Sequence, residues 1–205
     1  MTSRLPDSVN FQQSSFVTSA STLKQCPPDE GIEVAICGRS NAGKSSAINY
    51  LTGNRKLART SKTPGRTQLL NFFQVIDDFR LVDLPGYGYA KVPNAVKDKW
   101  HQQIDAYLRE RESLIGLILV MDIRHPLKEF DLMMIDWIQH ADLAMHILLT
   151  KCDKLKRGTR KSALREVQNS LPPSITVQLF SATEEMGRED LIKVIAKWIE
   201  PIEEL

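Results

Sequence analysis

The sequence is poor in several features that would place a chain in a large protein class. It holds only three cysteines, Cys26, Cys37 and Cys152, an odd number without CxxC spacing, which excludes a disulfide framework and argues against structural zinc. Its four histidines, His101, His125, His140 and His146, lack metal-ligand spacing and a paired nucleophile, so they read as packing or surface residues. No apolar run approaches the roughly 20 residues of a bilayer span or the core of a signal peptide, so a soluble, cytoplasmic protein without membrane attachment is expected. Net charge is only +2, and attraction to a polyanion must therefore come from local clusters. Internal repeats and low-complexity tracts are also missing.

What is present is an ordinary core composition: 205 residues, 42% hydrophobic, enough for one domain. That domain is expected over residues 26–205, as a monomer. Before it, residues 1–25 are expected to form a mobile polar extension, with isolated apolar residues at Val9, Phe11, Phe16 and Val17, whose later part docks on the domain. From the turn at Cys26-Pro27-Pro28-Asp29 onward, short β-rich runs alternate with segments of helical period. Strands are expected at Glu33–Cys37, Leu69–Ile76, Arg80–Asp83, Gly116–Asp122, Met145–Thr150 and Thr176–Phe180. Helices are expected at Lys44–Thr52, Val96–Arg109, Lys128–His140, Arg160–Ser170 and Glu189–Ile199. Only Asp77, Asp78 and Phe79 separate the second and third strands, which forces a hairpin. The expected fold is α/β in three layers: a mostly parallel six-stranded sheet with one antiparallel strand and helices on both faces. Trp137 and Trp198 fall at apolar helical positions and read as core or docking residues.

The first strand runs into Gly38-Arg39-Ser40-Asn41-Ala42-Gly43-Lys44-Ser45-Ser46, a full GxxxxGK[ST] phosphate loop between strand and helix. Glycines let backbone N–H groups converge on phosphate oxygens, the helix start adds its positive dipole end, Lys44 reaches the β- and γ-phosphates, and the Ser45 hydroxyl ligates Mg²⁺. A second anchor, Asp83-Leu84-Pro85-Gly86, ends an apolar strand in an acid able to hold Mg²⁺ through water, and Gly86 frees an N–H for the γ-phosphate. Alone, that tetrapeptide is an ordinary turn; downstream of a phosphate loop it reads as the acidic partner.

Base choice falls to Thr150-Lys151-Cys152-Asp153. A carboxylate at Asp153 accepts from both N1–H and the 2-amino group of guanine, whereas adenine leaves it unpaired, a difference of several kcal/mol. The Lys151 stem is expected along the base plane, and Ser181-Ala182, after Phe180, offers N–H groups to the guanine oxygen.

These residues resemble the EngB family (also called YihA or YsxC) of ribosome-assembly GTPases, within the TrmE-Era-EngA-EngB-septin-like superfamily of translation-factor-related GTPases. The resemblance is carried by GRSNAGKSS at Gly38–Ser46, ARTSKTPGRTQ at Ala58–Gln68, DLPGYGYA at Asp83–Ala90, TKCDK at Thr150–Lys154 and FSA at Phe180–Ala182, over about residues 16–200. It implies that Thr67 joins Mg²⁺ only when the γ-phosphate is present, and that Gly65, Arg66, Thr67, Gln68 and Leu69 form the first mobile loop. It further implies a GTP/GDP switch in assembly of the large (50S) ribosomal subunit, with consequences for cell division. Relative to the commoner NKxD form, Thr150 replaces Asn, so a weaker contact to the base or the phosphate loop is expected.

Gly86 is followed by Tyr87-Gly88-Tyr89-Ala90, without the Gln that orients water in Ras-like enzymes. Slow intrinsic hydrolysis is expected, with Tyr87 as readily a packing residue as a catalytic one. By analogy with related GTPases, Asn41 is a candidate K⁺ ligand. Two basic clusters, Arg55, Lys56, Arg59, Lys62 and Arg66, then Lys154, Lys156, Arg157, Arg160, Lys161 and Arg165, read either as solvated faces or as contacts to ribosomal RNA; the resemblance favours RNA. A nucleotide-gated binding module without significant GTPase activity and a P-loop kinase are the alternatives; no acceptor-binding lid supports the kinase.

Overall fold

The computed structural model describes residues 9–59, 69–87, 94–141 and 143–199, with the side chains of 94–101 excepted. The described residues form a seven-stranded sheet: β1 (Ser15–Ala20), β2 (Ile32–Gly38), β3 (Leu70–Ile76), β4 (Phe79–Asp83), β5 (Leu114–Asp122), β6 (Ala144–Thr150) and β7 (Thr176–Leu179). Between and after them run α1 (Lys44–Thr52), α2 (Asn94–Glu110), α3 (Glu129–Ala141), α4 (Arg157–Asn169) and α5 (Arg188–Ile199).

The strands lie in the order β1-β3-β4-β2-β5-β6-β7, and β3 alone runs against the others. The six-stranded expectation is corrected to seven, because Ser15–Ala20 pairs antiparallel with β3 and becomes an edge strand. Its register shifts between Phe16 and Thr18, and Phe16 and Val17 are left exposed. A bulged edge strand buries too little of either face to show the period-two alternation by which strands are read. The segment just before it also docks: Phe11 is buried and packs edge-on against Phe79 at 6.0 Å.

Alternation along β2 explains the layers. Val34 and Ile36 join Ile48 and Leu51 of α1 and Leu191 and Ile195 of α5 in one core, whereas Ala35 and Cys37 join Tyr107 of α2, Met134 and Ile138 of α3 and Val167 of α4 in the other. The parallel strands β4, β2, β5 and β6 all end on the same edge, at Asp83, Gly38, Asp122 and Thr150. At the opposite edge, Glu33 is fully buried and accepts from Arg80 Nε at 2.9 Å, Arg111 Nη2 at 2.6 Å and Tyr107 Oη at 2.8 Å, which fastens α2 to the sheet far from that rim. Trp198 of α5 is half-buried against the sheet over Gly116, where an added Cβ would lie 2.7 Å from its ring.

Candidate functional site

The carboxyl rim gathers the motifs. Gly38 ends β2 where a Cβ would sit 2.5 Å from the Val120 carbonyl, so the loop can leave the sheet here only as glycine. Arg39 to Ala42 then turn tightly, with Asn41 at φ 63° and the Ala42 N–H donating to the Arg39 carbonyl at 3.0 Å. Gly43, at φ 105°, leads into α1, so that Lys44, Ser45 and Ser46 occupy its first turn. Free N–H groups at such a turn form an anion-binding end.

Asp83 ends the neighbouring strand, in register with Ile36, and its carboxylate forms an ion pair with Lys44 Nζ. Leu84 is buried beneath this contact, and Gly86 approaches the loop so closely that a Cβ would stand 3.4 Å from Ser40 Cα. Tyr87 continues the association: its carbonyl accepts from the Ser40 N–H at 2.8 Å, and its own N–H donates to the Gly38 carbonyl. The Tyr87 ring is buried and stacks on Phe130 at 4.5 Å, while its hydroxyl donates to Asp131 Oδ1 at 2.5 Å. Burial, reinforced by Cys37 and Asp131, pushes the phenol far above its ordinary pKa, so Tyr87 stays neutral. Burial also raises the Asp131 carboxyl, against the hydrogen bonds from Tyr87 and the Lys128 N–H that pull it down.

The third motif meets the first. Thr150, buried at the end of β6, donates its hydroxyl to the Ala42 carbonyl and lies 3.0 Å from the Met121 carbonyl. Thr150, standing where the commoner form has Asn, thus contacts the phosphate loop by a direct hydrogen bond. Lys151, at φ 57°, crosses to donate to the Asn41 carbonyl and pairs with Asp122 at 3.0 Å. Burial would raise the Asp122 carboxyl, but hydrogen bonds from Arg124 and Lys151 prevail and hold it well below the usual carboxylate range. Cys152 is fully buried under a short 3-10 turn that presents Asp153. Ser181 Oγ donates to Asp153 Oδ1 at 2.8 Å, and Lys154 lies 3.0 Å from Oδ2; these bonds outweigh desolvation and keep the carboxyl ionised below its ordinary pKa. The Ser181 N–H already donates to the Met186 carbonyl at 3.1 Å, which leaves the next N–H, that of Ala182, for a ligand; Phe180 is buried behind both.

Gly65, Arg66, Thr67 and Gln68 lie outside the described residues, as do Lys62 and Arg66 of the first basic cluster; Leu69, at the near end of β3, is exposed. Arg55, Lys56 and Arg59 are exposed on the segment before that gap, and Lys154 to Arg165 surround the start of α4. Asp131, Asp122 and Arg124 were not singled out in the sequence. An acid in the first turn of a helix reads as a cap, and an acid at a strand end reads as a turn, so neither announces a partner elsewhere.

The sequence pattern of the 50S ribosome-binding GTPases matches residues 33–151, more than half of the chain, from β2 through the phosphate loop to Lys151. The chain belongs to that family. Its ligand class is therefore guanine nucleotide. A GTP-binding protein, engB, superposes with a TM-score of 0.67 at 22% identity, covering 82% of this chain and 98% of that one. Era, in complex with MgGDPNP and nucleotides 1506–1542 of 16S ribosomal RNA, gives 0.66 at 21% identity over 86% of this chain and 59% of Era. The G domain of the T. maritima FeoB iron transporter gives 0.55 at 23% identity over 82% and 99%. At these identities the likenesses establish the fold.

Proposed function

We propose that this GTPase is a slowly hydrolysing GTP/GDP switch that assists assembly of the large ribosomal subunit, and that its effect on growth and cell division follows from subunit supply. The observation that carries the reading is the fastening of Thr150 and Lys151 to the Ala42 and Asn41 carbonyls, which joins the base-reading loop to the phosphate loop as one receptor. In this reading Asp153 accepts from guanine, Lys151 lies along the base, and the Ala182 N–H meets the guanine oxygen. N–H groups from Gly38 to Ser46 surround the phosphates, and Lys44 exchanges Asp83 for phosphate oxygen.

The residues present fit Mg²⁺: the Ser45 hydroxyl in the first turn of α1 and the Asp83 carboxylate at the end of β4 are hard oxygen donors, and Lys44, which adjoins Ser45, already pairs with Asp83. When bound, Mg²⁺ supplies charge neutralisation between the phosphates; Ser45, Thr67 and, through water, Asp83 would hold it. Lys44 and the Gly86 N–H stabilise charge growing on the γ-phosphate.

A nucleotide-gated module with negligible turnover is the second reading, favoured by the burial of Tyr87 in its bond to Asp131, which leaves that side chain unable to place water. Single-turnover GTP hydrolysis with and without large-subunit precursors separates the two: acceleration by precursors supports the enzyme, and unchanged negligible rates support the module. If Asn41 holds K⁺, KCl accelerates hydrolysis over NaCl at equal ionic strength; identical rates remove Asn41 from the mechanism. Cofractionation with ribosomal subunits under GDP or a non-hydrolysable GTP analogue tests the partner, and absence of any subunit association overturns the assembly role.

A further inference from the structure

Beside the base-reading loop, α4 and β7 enclose an open cleft of about 350 Å³. Its floor is apolar, built from Leu155, Leu179 and Met186, and its rim carries Lys156, Arg157 and Lys161. These three cations are exposed, and no ion pair engages them among the described residues. Arg160, also lining the cleft, is arranged differently. Its Nε donates to the Leu155 carbonyl at 2.8 Å and its two terminal nitrogens reach Glu184 at 3.0 and 3.3 Å, so the guanidinium plane is fixed in place.

We propose that this cleft binds one unpaired nucleotide of single-stranded RNA, its base over the apolar floor beside the Arg160 plane and its flanking phosphates on the rim. The inference rests on the ribosomal-RNA reading of the second basic cluster and narrows it to a site and a conformation of the RNA. A duplex presents phosphates but keeps its bases stacked inside, so it would use the rim and leave the floor uncovered. An unpaired nucleotide satisfies both, because a base face can lie on apolar side chains and on a held guanidinium. An acidic peptide would match the rim alone. Leu155 belongs both to the cleft and to the turn that presents Asp153, its N–H donating to the Cys152 carbonyl at 3.1 Å, so RNA here sits two residues from Asp153.

The test is fluorescence anisotropy of the GDP-loaded full chain with a labelled unstructured RNA 12-mer, with a duplex of equal length and with an oligoglutamate peptide. Parallel binding to isolated large-subunit particles accompanies it, and GDP retention checks that each variant folds. Replacing Lys156, Arg157 and Lys161 together by Gln is expected to weaken 12-mer binding roughly tenfold and to flatten its log–log salt slope by about 2, near 0.7 per lost contact on a single strand. Met186→Asn, which makes the floor polar without adding charge beside the rim, is expected to weaken the 12-mer by at least fivefold and leave the duplex unchanged. Equal loss for duplex and 12-mer on substitution of Met186, tighter binding of the peptide, or cleft variants that bind RNA like the unaltered chain would overturn the cleft while leaving RNA binding elsewhere intact. Failure of the unaltered chain to bind any RNA or particle would instead overturn the RNA reading itself.

Discussion

Thr150→Val tests whether the base-reading loop is held by the phosphate loop. The Thr150 hydroxyl has one proton, offered to the Ala42 carbonyl and shared with the Met121 carbonyl 3.0 Å away. Valine keeps the branched shape and removes the proton, leaving the Ala42 carbonyl buried without that donor, at a cost of about 1–3 kcal/mol. For a chain of 205 residues, each kcal/mol lowers Tm by about 2–4 °C, so nucleotide-free protein should melt about 2–12 °C lower. The same loss frees the segment from Lys151 to Asp153, which the nucleotide must then order; a 1 kcal/mol share of that cost weakens GDP about fivefold. Thr150→Asn provides two N–H donors and should restore both melting and affinity. The measurements are calorimetric Tm without nucleotide and equilibrium titration with a fluorescent GDP analogue. A Thr150→Val protein that melts and binds GDP like the unaltered chain would refute the anchoring argument.

Three further expectations follow from single contacts. Asp153→Asn should weaken GDP by at least a hundredfold, the loss of charge-assisted hydrogen bonds worth about 1.5–3 kcal/mol each, without improving ATP; equal retention of GDP and ATP before and after the change would rule out Asp153 as the guanine reader. Gly116→Ala drives a methyl to within 2.7 Å of the Trp198 ring and should cost about 1–3 kcal/mol in chemical denaturation, relieved by combining it with Trp198→Leu. His146, buried between β6 and β7 with its ring nitrogens 2.7 Å from Thr176 Oγ1 and 2.9 Å from Gln178 Oε1, is lowered by burial from 6.5 to about 4. Because the unfolded chain binds that proton first, the contribution is complete above pH 6.5 and is lost as pH falls toward 4, on the order of 3 kcal/mol in all. His146→Gln should flatten the stability profile between pH 7 and 5, and parallel profiles would reject this role.

Much of the sheet was legible because buried parallel strands read as continuous apolar runs: β2, β5 and β6 carry long stretches of Val, Ile and Leu covered on both faces. The bounds of α1 agree residue for residue with expectation, since Gly43 and Gly53, both at positive φ, bracket it. The start of α4 was placed late because Arg157-Gly158-Thr159 offers no apolar residue to mark a helical face. β1 escaped for the opposite reason, having apolar residues that its bulge leaves exposed. At the site, motifs named the residues but not their mutual bonds. Thr150 to Ala42 spans 108 residues and Tyr87 to Asp131 spans 44, distances at which no local pattern operates.

The Tyr87 contacts also locate the boundary between what can move and what is fixed. A switch needs a segment that follows the γ-phosphate and a frame that does not, because a ligand shifts an equilibrium only through contacts that differ between its states. Tyr87 is held by its backbone to Ser40 and Gly38, by its ring to Phe130 and by its hydroxyl to Asp131, so it belongs to the frame. Gly86 lies immediately before it and against the phosphate loop, so a γ-phosphate that displaced Gly86 would strain Tyr87 and pull on α3 through Asp131. That displacement breaks a buried bond between a phenol and a carboxylate, a cost that holds Tyr87 in place. A water-placing group for hydrolysis must then come from another residue, from a bound cation or from a partner, and not from the side chain that directly follows the glycine.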